Sequence, residues 1–236
     1  MPTDALSLVT APAGRVLAAV IGAIGVVRGP RPIHTTGLLL TGTLTPLPRG
    51  RATSGIAWID DRSAEPTGVT ARLSRGAGLP APLPDVIGLA VRLDGGRGDL
   101  LLSSTGIGVP GRFVLRPRWT PARAVLSTLM PYRGSDGPVL IAARSTTPAA
   151  MPASMEGVRE ALADTPWRLD LLFATPTGLW HRFGALELAP APGPIDAAEP
   201  RFDPVLNPPA GAGTYGRTRA LREPAYSVGR RGGPPR

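Results

Sequence analysis

Cysteine is missing from the 236 residues, which excludes disulfides, zinc–thiolate sites and any thiolate-ligated centre. Histidine occurs twice, at His34 and His181, too sparsely for a histidine-rich metal cluster. Aromatic residues make up 5% of the chain, and no recognisable nucleic-acid motif appears. Nucleophile elbow, Walker loop and dinucleotide fingerprint are all absent. The apolar run Val16–Val27 is 12 residues long. That falls short of the roughly 20 a membrane span needs. Arg15 and Arg28 flank it as in a signal peptide, but no convincing small-residue cleavage site follows. The run is therefore expected to form a buried or membrane-touching helix over 14–28. A cysteine-free chain fits a reducing cytoplasm, the expected compartment.

What is present points to a β-rich protein. Hydrophobic residues are 42% of the chain, enough for one sizeable core. The 30 glycines and 29 prolines fall mostly between apolar runs, where they read as turns. Net charge is +9, carried by arginine. The arginines are scattered, so no nucleic-acid partner is expected. Arginine also pairs with buried carboxylates and phosphates.

Alternation and β-branching predict strands over 33–45, 54–59, 67–74, 86–93, 98–104, 138–145, 167–174 and 179–188. A Gly-Gly turn joins 86–93 to 98–104 as a hairpin. Helices are predicted over 120–130, with Thr120 as N-cap and Pro121 at the first helical position, and over 154–164, opening at Ser154. Asp60-Asp61 reads as a turn. Strands outnumber helices, so the expected fold is mainly β: an antiparallel barrel with helical inserts. The expected organisation is an N-terminal arm (1–28), one barrel domain with a C-terminal wrapping segment (29–231) and a loose tail (232–236).

His34 follows Pro32 at the start of an apolar strand, with Gly37 leaving space beside it. His181, between Trp180 and Arg182, reads as structural or exposed.

The stretch FDPVLNPPAGAGTYGRTRALREPAY, residues 202–226, resembles the segment of heme catalases that leaves the barrel and leads to the heme-ligating tyrosine. Phe202-Asp203-Pro204, Pro208-Pro209 and Arg222-x-x-x-Tyr226 stand in that register without a gap. Earlier segments are similar, in the same order: Arg31-Pro32-Ile33-His34-Thr35-Thr36-Gly37, Arg72-Leu73-Ser74, Gly88-Leu89-Ala90-Val91-Arg92, Asp99-Leu100 and Thr105. The resemblance covers roughly 30–116 and 170–231.

It implies a catalase-like barrel with a C-terminal proximal helix, carrying heme b. Tyr226 is the implied iron ligand, with Arg222 stabilising its phenolate. His34 is the implied distal acid–base group, oriented by Ser74. Arg31 and Arg72 would meet the propionates. The implied activity is a peroxidase or weak catalase acting on peroxide or a small organic hydroperoxide.

The departures bear on that activity. Ser103 stands where the family has a distal Asn, Gly108 and Val109 where it has two Phe, and Val228 where it has an acid. The propionate arginine falls on Gly233, with Arg231 as a substitute. An allene-oxide-synthase-like hydroperoxide isomerase, or a barrel that carries heme without turnover or lacks it, stays open. Full catalases assemble through a long N-terminal arm and have a C-terminal domain that are not seen here, so a monomer or dimer is expected. Membrane contact through 16–27 is a further expectation.

Overall fold

The computed structural model describes residues 37–48, 52–61, 65–94, 98–195 and 202–216. The helix expected at 14–28 and the tail at 232–236 lie outside them. Among the described residues are ten strands: β1 (Gly37–Pro46), β2 (Thr67–Arg75), β3 (Ile87–Leu93), β4 (Gly98–Ser104), β5 (Val125–Ser127), β6 (Tyr132–Gly134), β7 (Gly137–Thr147), β8 (Trp167–Ala174), β9 (His181–Pro190) and β10 (Gly213–Thr214). Two short helices join them, α1 (Ala57–Asp60) and α2 (Met155–Ala161). Among the described residues no helix is long and apolar enough to cross a membrane.

Eight strands close a barrel in the order β1-β2-β3-β4-β5-β7-β8-β9 and back to β1, every pairing antiparallel. β6 and β10 extend a side ladder from β7. Closure leaves the barrel strands without a free edge.

Alternation fills the interior. Leu38, Leu40, Ala71, Leu73, Leu89, Val91, Leu100, Leu102, Ile141, Leu169, Leu171 and Leu186 belong to one buried cluster. Gly42 is required where β1 meets β9, since an added Cβ would lie 1.8 Å from the Glu187 carbonyl oxygen. The opposite face of β5, β7 and β8 is also buried, at Ser127, Leu140, Ala142, Leu172 and Ala174. Beside it the β4–β5 connection folds back. Ser127 Oγ donates to the Arg112 carbonyl, and Arg112 reaches the Thr175 and Gly178 carbonyls beyond β8.

Two predicted elements differ. Residues 54–59, expected as a strand, form a bend at Gly55 and most of α1. The Asp60 carboxylate accepts from the amides of Ser54 and Gly55, which coils the segment locally. Trp58 N–H also donates to the Ala210 carbonyl, a tertiary bond invisible to local pattern.

Residues 120–130, expected as a helix, contain β5. Thr120 Oγ1 does accept from Ala122 N–H, and Ala124 N–H donates to the Pro121 carbonyl, so a first turn forms. Arg123 at φ 54° and Leu129 at φ 59° then prevent a helix. Ser127 and Leu126 pair with both β4 and β7, and barrel closure outweighs helical propensity. The helix expected at 154–164 is α2, with the Ser154 side chain accepting from Gly157 N–H at 3.2 Å. β6 and β10 were not anticipated.

Candidate functional site

Catalysis-bearing residue types are few, so the fold's outer wall is the place to look. Paired positions across neighbouring antiparallel strands point to one face. Gly37 pairs with Ser74, Ser74 with Gly88, Gly88 with Ser103, and Ser103 with Ser127. Five consecutive strands thus place three serines and two glycines in one row, on the face opposite the aliphatic core. Arg72 lies on the same face, two residues from Ser74 on β2, between Leu39 and Ala90.

Arg72 is 7% exposed and Ser74 4%. A buried guanidinium on a sheet face needs partners, and the glycine of β1 accommodates this one. A Cβ added at Gly37 would lie 2.3 Å from Arg72 Cζ. The Arg72 guanidinium thus packs against Gly37. Ser74 Oγ lies 3.5 Å from the Gly88 carbonyl oxygen, a weak bond. Ser103 is half-buried.

The row therefore unites Arg72, Ser74 and Ser103. His34, Arg31, Arg222, Tyr226 and Arg231 lie outside the described residues. Ser127 is a neighbour that the sequence pattern does not mark, because Thr120, Pro121 and Ala122 open its segment as they would a helix. Its hydroxyl bonds to Thr105 Oγ1 at 3.1 Å and accepts from Leu129 N–H. Val125-Leu126-Ser127 carries no alternation that would mark a strand. His181 is exposed on β9, its ring 5.3 Å from that of Phe173. Among the described residues no group of three or more histidines and acids could hold a metal ion.

The C-terminal segment is fastened at the far end of β3 and β4. Asp99, 1% exposed, is the hub. Both its oxygens meet Arg92 at 2.8 Å, and one also accepts from Asp203 N–H at 2.7 Å. Asp99 N–H donates to the Asn207 carbonyl. The Phe202 ring lies 5.2 Å from the Arg92 guanidinium carbon, a cation–π contact. The hydrogen bond that Arg92 donates to the Asp99 carboxylate raises the Arg92 pKa above its ordinary value, against the desolvation that opposes it. Gly98 sits at φ 129°, and a Cβ there would come within 2.6 Å of Pro209. The strap continues past α1 and ends as β10 on β6. Phe202-Asp203-Pro204 and Pro208-Pro209 thus have a common mechanical reason: they dock on Arg92, Gly98 and Asp99.

At the strap's end an open depression is lined by Gly55, Asp60, Arg133, Ser135 and Gly213. Its carboxylate is already committed to the Ser54 and Gly55 amides, which leaves that depression poorly equipped for acid–base chemistry.

No known family's sequence pattern matches the chain, and no curated protein sequence does. Solved structures do. A bacterial catalase superposes with a TM-score of 0.56 at 13% identity, over 84% of this chain and 56% of its own. A fungal catalase superposes with a TM-score of 0.58 at 14% identity, over 83% of this chain and 57% of its own. The chain thus spans little more than half the length of either. At that identity the likeness speaks for the architecture: the described residues form a barrel with the catalase fold.

Proposed function

We propose that the chain binds heme b on the outer wall carrying Arg72, Ser74 and Ser103, and that it processes peroxides there. The observation that carries the reading is the buried Arg72–Ser74 pair on a wall whose neighbouring strands offer Gly37 and Gly88. The fit is chemical. A carboxylate-bearing macrocycle needs a guanidinium for its propionate, which Arg72 supplies, and small residues beside it, which Gly88 and Ala90 of β3 supply. When bound, heme supplies the redox centre at which a peroxide O–O bond is broken.

The remaining roles belong to the chain's own residues. Arg72 holds a propionate, with Arg31 and Arg231 as partners in that task. His34 takes the proton from one peroxide oxygen and returns it to the other. It precedes Gly37 by three residues, at most about 10 Å of chain, and Gly37 pairs with Ser74. Ser74 orients its imidazole. Ser103 offers a hydroxyl to the peroxide. Tyr226 ligates the iron as a phenolate, and Arg222 favours that ionised form by its positive charge. The reading describes a cytoplasmic monomer or dimer.

One observation favours a larger substrate over hydrogen peroxide. Among the described residues, chain neighbours aside, no heavy atom lies within 4 Å of a Cβ placed at Gly108, and Val109 is 52% exposed. An organic hydroperoxide, reduced or isomerised, suits such an opening.

The test is spectroscopic. The purified full chain, supplied with heme, is expected to show a Soret band and a stoichiometric complex. Tyr226→Phe should weaken or abolish that binding. His34→Ala should keep the heme and lower peroxide turnover by roughly 10²-fold or more. A chain that takes up no heme, or a Tyr226→Phe variant with an unchanged spectrum, overturns the reading.

A further inference from the structure

Independently of heme, we infer that the loops at one end of the barrel form a docking surface for an anionic lipid bilayer. The connection from β2 to β3 and the one from β4 to β5 leave the barrel at the same end. An antiparallel bridge between Asp85 and Arg118 fastens them together, each amide donating to the other's carbonyl at 2.8–2.9 Å. That register sets Pro84 beside Trp119. Pro80, Pro82 and Pro84 restrict the first loop's backbone.

The fastened edge exposes large apolar side chains. Trp119 is 64% exposed, Val114 57% and Leu83 50%. Leu79 joins them at 37%. Single exposed hydrophobics are ordinary, but several on adjoining loops mark an interaction site.

Charge identifies what they meet. Residues 105–124 hold four arginines and no acid. Arg116 and Arg118 flank Pro117, close enough for their charges to repel. Among the described residues neither forms a salt bridge, and Arg118 Nε is buried without a hydrogen-bond partner. Desolvation, and then repulsion from Arg116, lower the Arg118 pKa, as befits two cations with no anion between them. The sole acid of the β2–β3 loop is Asp85, which is 2% exposed and turned inward onto the amides of Ala77, Leu79 and Val86. The exposed acids at this end, Glu156, Glu160 and Asp164, belong to the β7–β8 connection, which the Arg75 side chain joins to the β2–β3 loop by donating to the Ala153, Leu79 and Leu83 carbonyls.

Aliphatic tips, an interfacial tryptophan and unpaired arginines together suit lipid acyl chains below and acidic headgroups above. Leu83 and Val114 have no use in stacking nucleic-acid bases, which favours a bilayer over RNA.

The experiment is sedimentation of the full chain with vesicles of phosphatidylcholine alone or doped with phosphatidylserine. Binding is expected on the doped vesicles and should weaken with salt. Arg116→Gln and Arg118→Gln should each lower the partition coefficient by roughly fivefold. Brominated lipid should quench the wild type and quench Trp119→Phe far less. Both kinds of substitution alter exposed or unpartnered groups, and circular dichroism checks that the barrel persists. Failure to pellet with doped vesicles overturns the inference. So does binding that survives the double arginine substitution, which assigns contact to the 16–27 segment. Equal arginine-dependent capture of single-stranded RNA without lipid quenching overturns it as well.

Discussion

Arg92 and Arg118 sit near opposite ends of the barrel and have opposite surroundings. Arg92 meets both oxygens of buried Asp99 and lies over Phe202, while Asp99 spends its remaining capacity on the strap. Among the described residues Arg118 has a backbone bridge to Asp85, whose carboxylate faces elsewhere, and no ion pair. The same side chain is structural where its charge is matched by a fixed partner. Where the charge is unmatched and ringed by exposed apolar groups, it is available to a ligand. Proximity of arginine to a loop therefore says little until its counter-charge is located.

The comparison breaks most visibly at its hub. Asp99→Ala should destabilise the chain by about 3 kcal/mol, because it strands the half-buried Arg92 guanidinium and the Asp203 amide together. Denaturant melts would read the loss, and limited proteolysis should cut within 202–216 first. An unaltered midpoint would mean the strap is held elsewhere.

Gly98→Ala tests the same dock without touching charge. Its positive φ and the Pro209 backbone within 2.6 Å of the new Cβ predict a cost of about 2 kcal/mol. A cost below about 0.5 kcal/mol, the scale of ordinary surface substitutions, would show that the strap yields readily.

Arg118→Met should have the smallest effect, within about 0.5 kcal/mol or slightly stabilising, because it removes a buried donor that has no partner. A loss comparable to Asp99→Ala would show that Arg118 is structural, and the contrast between the two ends would collapse.

Most barrel strands were legible because alternation reports a buried face directly. Leu38, Leu40, Leu89 and Val91 occupy inward positions that the pattern marks. The element at 120–130 was misread because Thr120, Pro121 and Ala122 open as a helix does, while the left-handed turns at Arg123 and Leu129 leave no local signature in those residue types. The segment at 54–59 was misread because its backbone answers to Asp60 and to the carbonyl of Ala210. Ser74, Ser103 and Arg72 could be singled out one at a time, but their common row depends on strand register.

The amino-acid sequence by itself determined the β-rich class, most of the strands, the absence of thiolate chemistry and the order of the catalase-like segments. These follow from residue type and local periodicity, which act over a few residues. Only the tertiary structure decided that the Arg72 guanidinium packs against Gly37. It alone decided that Ser127 joins the row, and that Asp203 returns to Asp99 across 104 residues. The physical reason is that closing the barrel pairs backbones far apart in the chain, and each buried polar group must then find its partner wherever the closed wall presents one.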